Sequence, residues 1–591
     1  MTGLLEISST GYAYICIGGF IALFSTVSLF ARERAYVNEV VIATAFGILM
    51  GPLCADIFDP RSWGNGDSRI TLEILRVVLA TGLFAIGADL PRGYLWKHAK
   101  GLLIMVVPTM TVGWFIVAGL LKAIFPRFSY VTCLAIAACL TPTDPIISAS
   151  VVGGGYAKQN VPAEIRHILL AESAANDGLA YPFLSITVFI LLDSTLGDAI
   201  KDWVLVGWLF QVILGSIVGA VIGYIFAYVM KFSHKRSFSN HESYMAQCLA
   251  LAILTMGIVK TIGSDDLLGA FAAGYTFTAW DDDSDDYSDD GTPDPTSSFG
   301  FTSSFVSVLD YLLNCGCFIY IGAWFKWEEF TLTELGIQPW KLVVLSIGIL
   351  ALRRLPALIL LYKWVPEIKD LKEALFCGHF GPMGVGALFI ASLAKHRLPE
   401  PRNPPETQED YLAMALYPVV SFVVLISIIV HGLSIAFVSL GKKVHRRTYS
   451  PKPDIALKSR TVTTDTQATL YPQIEIDVNR KPPHNSSKNE KFSNEASAYN
   501  TKTPSPEFTS SPKFTPSPEH TPDPEVRFSC DITASKEKEH QSDGIVNDVL
   551  PDDIIEEIVP ETRNGVSPLA SKLPTIFASF VAGRFSEYPG P

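Results

Sequence analysis

Three short stretches of this sequence set ionisable or backbone-breaking residues inside apolar surroundings. The first, residues 168–184, reads ILLAESAANDGLAYPFL and holds Glu172, Asn176 and Asp177. Glu172 and Asn176 are i,i+4 neighbours, as are Ser173 and Asp177, so a helix here carries two adjacent polar stripes. Two carboxylates, an amide and a hydroxyl at that spacing offer hard oxygen ligands, which suit a simple cation or a proton. A hydrogen-bonded structural knot is the plainer alternative. Yet two acids in one membrane helix are expensive, and such residues mark ion pathways by default.

The second stretch, residues 138–150, reads ACLTPTDPIISAS. Thr141 and Pro142 precede Thr143-Asp144, and Pro145 follows. Each proline removes a backbone donor and clashes with the preceding turn, so a helix should break there. Broken backbone at membrane depth is tolerated where it is buried in protein or lines a watery cavity. Freed carbonyls and Asp144 would add further oxygen ligands. The third stretch, residues 377–389, reads CGHFGPMGVGALF; Gly378, Gly381, Pro382, Gly384 and Gly386 make it a second broken helix. Between them LALRRLPALILL brings Arg353 and Arg354, either of which is a candidate partner for Glu172, because an unpaired buried charge is strongly unfavourable.

Other acidic features carry less weight. Asp265-Asp266 in GSDDLLGAFAAG either line a cation approach or cap a helix start. Asp89 ends an apolar run and stands either in the site or at its interface with water. The run DDDSDDYSDD at 281–290 reads as a solvated loop, with cation attraction at a vestibule as the sharper alternative. His379 beside the second break is a candidate pH-modulating group or a plain hydrogen-bond partner.

The elements that must position these residues follow from composition. Of 591 residues 49% are hydrophobic and 18% charged, the mean hydropathy is +0.30 and the formal net charge −12. Soluble proteins carry about 25% charged residues. A soluble globular chain and a wholly disordered one are both disfavoured, and nothing points to nucleic acid, which draws a basic patch. Nine cysteines without CxxC pairs make neither a zinc site nor a disulfide framework.

From about residue 11 to 441 the chain repeats runs of about 20 apolar residues, each long enough to span a bilayer. The spans expected are 11–30, 37–58, 71–90, 102–125, 130–152, 165–192, 203–231, 243–262, 265–280, 301–325, 340–362, 372–395 and 412–440. The fold class is therefore an all-α polytopic membrane protein with about 13 transmembrane helices. The extreme N-terminus lacks the basic stretch of a cleavable signal.

Lys and Arg concentrate in the loops that share a side with Lys442, Lys443, Arg446 and Arg447, which places the C-terminus in the cytoplasm and the N-terminus outside. The domains expected are a short N-terminus (1–10), a transmembrane domain (11–441) and a disordered cytoplasmic tail (442–591) rich in Ser, Thr, Pro, Glu and Lys. Repeated TPSPE at 503–507 and 515–519 fits a kinase-regulated segment, and apolar clusters at 543–561 and 569–585 fit docking on a scaffold. The broken helices are the fifth and twelfth spans. If spans 1–6 and 8–13 are inverted repeats, the two breaks hold equivalent positions, which points to the midplane site of a secondary transporter.

At TPTDP, ESAANDG and GHFGPMGVG the chain resembles the monovalent cation/proton antiporters, and among them the fungal plasma-membrane Na+(alkali-cation)/H+ antiporters. The resemblance covers about 12–441. It implies a fold of the NhaA type, with inverted six-helix repeats and two crossed broken helices. It also implies a homodimer in which a core domain rocks against a dimerisation domain in the lipid bilayer.

Residue by residue it makes Asp177 the group that binds Na+ or the proton, with Ser173 coordinating, Asn176 orienting the helices and Thr143-Asp144 in the unwound fifth span. Glu172 pairs with Arg353 or Arg354, and Asp265, Asp266 and His379 look like features of the fungal branch. The activity implied is exchange of intracellular Na+ or Li+, and of K+ in some members, for external H+ by alternating access. Its role would lie in salt tolerance and in cation and pH homeostasis, with no enzymatic step and no cofactor.

Two alternatives come from the residues themselves. A passive cation channel would also use acids and broken helices but would conduct without proton coupling. An intramembrane aspartyl protease needs two aspartates on separate helices, as Asp144 and Asp177 are, but its GxGD sequence is missing from the spans. No GxxxxGK[ST] supports an ATP-driven pump.

Overall fold

The computed structural model describes residues 8–449, apart from 32–33, 35, 67, 153–156, 158–159, 194, 239–240 and 279–297. The aspartate run at 281–290 and nearly all of the expected tail lie outside the described residues. Among those described, every regular element is helical. The chain runs through α1 (Ser9–Phe30), α2 (Glu39–Met50), α3 (Ser68–Asp89) and α4 (Ala99–Ile124). Next come the half-helices α5 (Tyr130–Leu140) and α6 (Pro145–Val152), then α7 (Ala163–Leu192). A long segment follows, α8 (Leu196–Asp202) passing through a π-helical stretch (Trp203–Leu214) into α9 (Gly215–Lys235). The remainder is α10 (His241–Ile262), α11 (Asp266–Thr278), α12 (Ser298–Trp324), α13 (Pro339–Leu352), α14 (Leu355–Leu361), α15 (Leu371–His379), α16 (Val385–Lys395) and α17 (Gln408–Tyr449).

Local sequence explains the ends. Asn38 accepts from Val40 N at 3.0 Å to start α2, Ser129 from Thr132 N at 3.0 Å to start α5, and Asp370 from Glu373 N at 2.8 Å to start α15. Each is an N-cap side chain satisfying a donor that the first helical turn leaves orphaned.

Each expected span has a helical counterpart, with three differences. The span expected over 37–58 stops at Met50, where Gly51-Pro52 leads into an irregular segment and a 3₁₀ turn over Pro60–Gly66. The span expected over 340–362 is interrupted at Arg353-Arg354, where Pro356 lacks an amide donor and crowds the carbonyl of Leu352, and the two guanidinium groups turn inward to other helices. The last helix runs past the boundary expected at 441, to Tyr449.

Eight segments among the described residues are long and apolar enough to cross a membrane, the interrupted Tyr130–Ser150 and Pro339–Trp364 among them, and shorter apolar helices such as α2 and α16 accompany them. Burial separates centre from periphery. The apolar window over Tyr130–Ser150 is 89% buried, whereas those of α1 and of Leu196–Ser233 are 22% buried. The peripheral helices expose Ile15, Leu23, Leu209 and Val221, as a lipid-facing surface would.

Helices close to backbone contact where glycines face each other. A β-carbon on Gly274 of α11 would clash with the Phe84 carbonyl oxygen of α3 and lie 2.9 Å from its carbonyl carbon, and one on Gly322 of α12 would lie 3.0 Å from Gly47 Cα of α2. Small residues at such crossings are how helices associate without a hydrophobic driving force between them.

Candidate functional site

The two broken helices meet at their breaks. Asp144 N donates to Pro382 O at 2.7 Å, which ties the gap between α5 and α6 to the gap between α15 and α16. Two half-helix C-termini and two half-helix N-termini therefore converge in the interior, negative and positive ends of helix dipoles respectively.

Each pair of ends is held by one oppositely charged side chain. Asp144 is buried; its Oδ1 accepts from Ile147 N of α6 at 2.8 Å, and its Oδ2 accepts from Val385 N at 2.5 Å and Gly386 N at 3.4 Å of α16. One carboxylate thus caps both N-termini. Arg353 is buried too, and its guanidinium donates to Leu140 O (2.9 Å), Thr141 O (2.7 Å) and Pro142 O (3.0 Å) at the end of α5, and to Gly381 O in the second gap. Thr141 Oγ1 turns back to Ala137 O at 2.6 Å, and Pro145 occupies the first position of α6.

Among the described residues Arg353 bonds to carbonyls and pairs with no carboxylate, so of the two arginines the ion-pair role belongs to Arg354. It grips both oxygens of Glu172, Nη2 at 2.6 Å from Oε2, and donates through Nε to Cys377 O at 2.8 Å. Adjacent arginines point to different places because both lie in the break between α13, which ends at Leu352, and α14, which starts at Leu355.

Helix α7 is joined to the first break by Asn176 and Ser173. Asn176 accepts from Thr143 N at 3.0 Å and donates to Thr143 Oγ1 at 2.8 Å and Glu172 Oε1 at 3.3 Å. Ser173 Oγ meets Thr143 Oγ1 at 2.9 Å and Ser148 Oγ at 3.2 Å. Every polar side chain of this knot is satisfied by another, as buried polar groups must be.

Asp177 is the exception. It is 2% exposed, and neither carboxylate oxygen has a hydrogen-bond partner among the described residues. A buried unpaired carboxylate is strongly unfavourable unless a proton or a cation supplies what the protein does not. The second broken helix shapes its surroundings: a β-carbon on Gly386 would stand 2.5–2.8 Å from its oxygens and Cγ. Glycine is required there to let α16 approach the carboxylate.

A cavity of about 150 Å³ connects Asp177 to the surface. Asp265, Asp266, Arg76, Gln211, Tyr181 and Phe389 line it, with exposed Lys260, Gly263 and Arg397 at its mouth. Asp265 and Asp266 line the cavity and stand at the start of α11, where Asp265 Oδ1 accepts from Leu268 N at 3.0 Å. Asp266 pairs with Arg76 at 2.5 Å. Arg76 was not among the residues singled out in the sequence: it lies near one end of the third span, where a charge reads as interfacial, and only the fold brings it to Asp266.

Two residues considered for the site stand elsewhere. Asp89 is exposed at the end of α3 and lines neither this cavity nor the small one beside Glu172. His379 packs its ring 5.4 Å from that of His431, whose Nε2 donates to the His379 carbonyl at 3.0 Å, so it braces α15 against α17. Among the described residues no group of three or more His, Cys, Asp or Glu is arranged to hold a metal.

Two crossed broken helices around one unsatisfied buried acid form the kind of midplane site on which secondary transporters are built. The family profile "Sodium/hydrogen exchanger, transmembrane" matches residues 19–441, and the chain belongs to that family. It is 40% identical over 456 residues to a Na+/H+ antiporter of Saccharomyces cerevisiae, covering 75% of this chain and 45% of that protein. To a Na+/H+ antiporter of Schizosaccharomyces pombe it is 36% identical over 443 residues, covering 73% of this chain and 90% of the relative. The chain spans only 57%, 45% and 55% of the length of three curated relatives, the one from S. cerevisiae among them. Among solved structures, the sodium proton antiporter MjNhaP1 of Methanocaldococcus jannaschii superposes with a TM-score of 0.54 at 16% identity, covering 73% of this chain and 99% of that one. That likeness establishes the fold.

Proposed function

We propose that this chain is a secondary active antiporter that exchanges Na+ or Li+, and K+ to a degree its pore chemistry sets, for H+ by alternating access. The observation that carries this reading is Asp177, buried, unpartnered on both oxygens and lining the cavity. Such a carboxylate holds a proton or a cation but not both. Only the occupied, neutralised form is compatible with closure of the cavity around it, so movement of one ion is tied to return of the other. Ser173, Asn176 and Thr143 fix α7 to the first break, and Asp144 and Arg353 hold both breaks together, so the surroundings of Asp177 move as a unit.

A passive channel would not need one unsatisfied buried acid lining its path. The protease reading loses its second aspartate, because both oxygens of Asp144 are engaged by backbone donors. The family relationship supports the reading, since the relatives named above are Na+/H+ antiporters. On the same basis we assign the protein to the plasma membrane as a homodimer with a cytoplasmic C-terminus and a tail open to kinase control, and to salt tolerance and cation and pH homeostasis.

The test is reconstitution into vesicles carrying a pH-sensitive dye. Addition of Na+ moves protons with the wild type and not with Asp177→Asn, while both proteins insert equally. Full exchange by the Asn variant, or cation flux without proton movement in the wild type, would refute the reading.

A further inference from the structure

A cavity that leads cations to an acid should avoid fixed positive charge, yet this one has three basic residues. Lys260 and Arg397 are exposed at the mouth, where solvent and salt screen them. Lys260 is matched by Glu73 at 2.6 Å, and Arg397 donates to Tyr181 Oη and lies over its ring. Arg76 is different. Its side chain is only 9% exposed, deeper in the cavity with Asp177, and a guanidinium stays charged throughout the physiological range.

Its partners are few. Nη1 donates to Asp266 Oδ2 at 2.5 Å, Nε lies 3.4 Å from Glu73 Oε2, which Lys260 shares, and the plane sits 5.1 Å from the Phe389 ring. Asp265, the neighbouring acid, is turned to the Leu268 amide. Arg76 therefore occupies the carboxylate of Asp266, which lines the same cavity as Asp177. Phe389, against which it rests, is one turn beyond Gly386 on the helix that packs on Asp177.

We propose that Arg76 sets the apparent affinity of the transport site for cations: it is a resident cation on Asp266, whose charge an arriving ion must meet before reaching Asp177. The inference rests on the antiport reading. Asp266 cannot ligate a passing ion while it holds Arg76, and Arg76 keeps the charge of the cavity close to neutral. Removing the guanidinium alone leaves Asp266 free and the cavity more negative, so cations bind more tightly. Removing the Asp266 charge alone leaves Arg76 unmatched beside the path, so they bind more weakly.

The measurement is the initial rate of Na+-driven proton movement in vesicles against Na+ concentration on the face to which the cavity opens. It is made at alkaline pH, where proton competition is weakest. Arg76→Gln lowers the KM about three- to tenfold with the maximal rate within about twofold, and Asp266→Asn raises the KM by a similar factor. Arg76→Gln combined with Asp266→Asn returns it close to wild type, and Arg76→Lys, which keeps the charge, stays there too.

An unchanged KM in folded Arg76→Gln overturns the proposal, as does a fall in maximal rate with no change in KM, which assigns the pair to packing. If Arg76→Gln does not fold, the Asp266→Asn variant and the double variant decide: a KM that does not rise in the first and recover in the second overturns it. Failure of the underlying reading has a separate signature, because then the wild type itself moves no protons on Na+ addition.

Discussion

At the scale of single residues, the site is a contrast between side chains that are satisfied and one that is not. Glu172, Ser173, Asn176, Thr143 and Asp144 all spend their polar atoms on one another, on backbone, or on Arg354 and Ser148. Their task is placement, and the unpaired oxygens of Asp177 carry the proposed chemistry. Gly386 tests how tightly that placement is set. Gly386→Ala puts a methyl 2.5 Å from Asp177 Oδ1, and the carboxylate or α16 must shift. Misplacement of about 1 Å at a reacting group can reduce a rate by about 100-fold. Exchange in vesicles should therefore fall about 10- to 100-fold while the protein still assembles; wild-type rates would show that the carboxylate has room to spare.

The Glu172–Arg354 pair makes the opposite prediction, about stability. Breaking a buried pair from one side costs about 3–5 kcal/mol, whereas replacing both partners by apolar groups is often near neutral. Arg354→Leu should lower the melting temperature of the detergent-solubilised protein sharply, and adding Glu172→Leu should restore part of it. Arg353→Leu should not be rescued by Glu172→Leu, because Arg353 is bonded to carbonyls rather than to that carboxylate.

At the scale of elements, the crossing of two broken helices is stable because each set of half-helix ends is bound by a single opposite charge. Asp144→Asn tests the N-terminal half. An amide offers one acceptor oxygen where the carboxylate offers two, and its NH2 would face the donors of either α6 or α16. Loss of one cap and of the charge at two helix starts is worth about 1–2 kcal/mol. The variant should melt several degrees lower and exchange more slowly, and unchanged melting would mean that the helix ends do not depend on that charge.

The breaks themselves were legible beforehand, since Pro142, Pro145, Gly381, Pro382 and Gly384 each disrupt a helix by local chemistry. The interruption at Arg353-Arg354 has a local cause in Pro356, but the direction of the two arginines was not legible, because an apolar run does not say where they point. Their partners are Glu172 and the carbonyls of α5, more than 180 residues away in sequence. Arg76 escaped for the same reason, as its partner Asp266 lies 190 residues on. Local disruption can be read from neighbours in the chain, whereas long-range charge pairing needs the fold.

At the scale of the whole molecule, the location of the cavity and the distribution of basic loops make one joint prediction about sidedness. The excess of Lys and Arg sits in loops on the side of residues 442–447, which by the positive-inside rule is cytoplasmic. Counting spans from there puts the α10–α11 turn, and with it the cavity mouth at Lys260, Gly263 and Arg397, on the external face. The loop holding exposed Lys369, between α14 and α15, falls on the internal face.

Single cysteines separate the two faces. Lys260→Cys should react with a membrane-impermeant thiol reagent in intact cells, and Lys369→Cys only after permeabilisation. Exposed Cys54 follows α2 on the external side by the same count, so the native thiol must first be replaced by serine. Labelling of Lys369→Cys from outside would invert the topology, and the cavity would then be the intracellular approach to Asp177. If the topology stands and Na+ slows modification of Lys260→Cys, the ion shares the cavity with the label. Absence of that protection in a transport-competent variant would mean that cations reach Asp177 by another route.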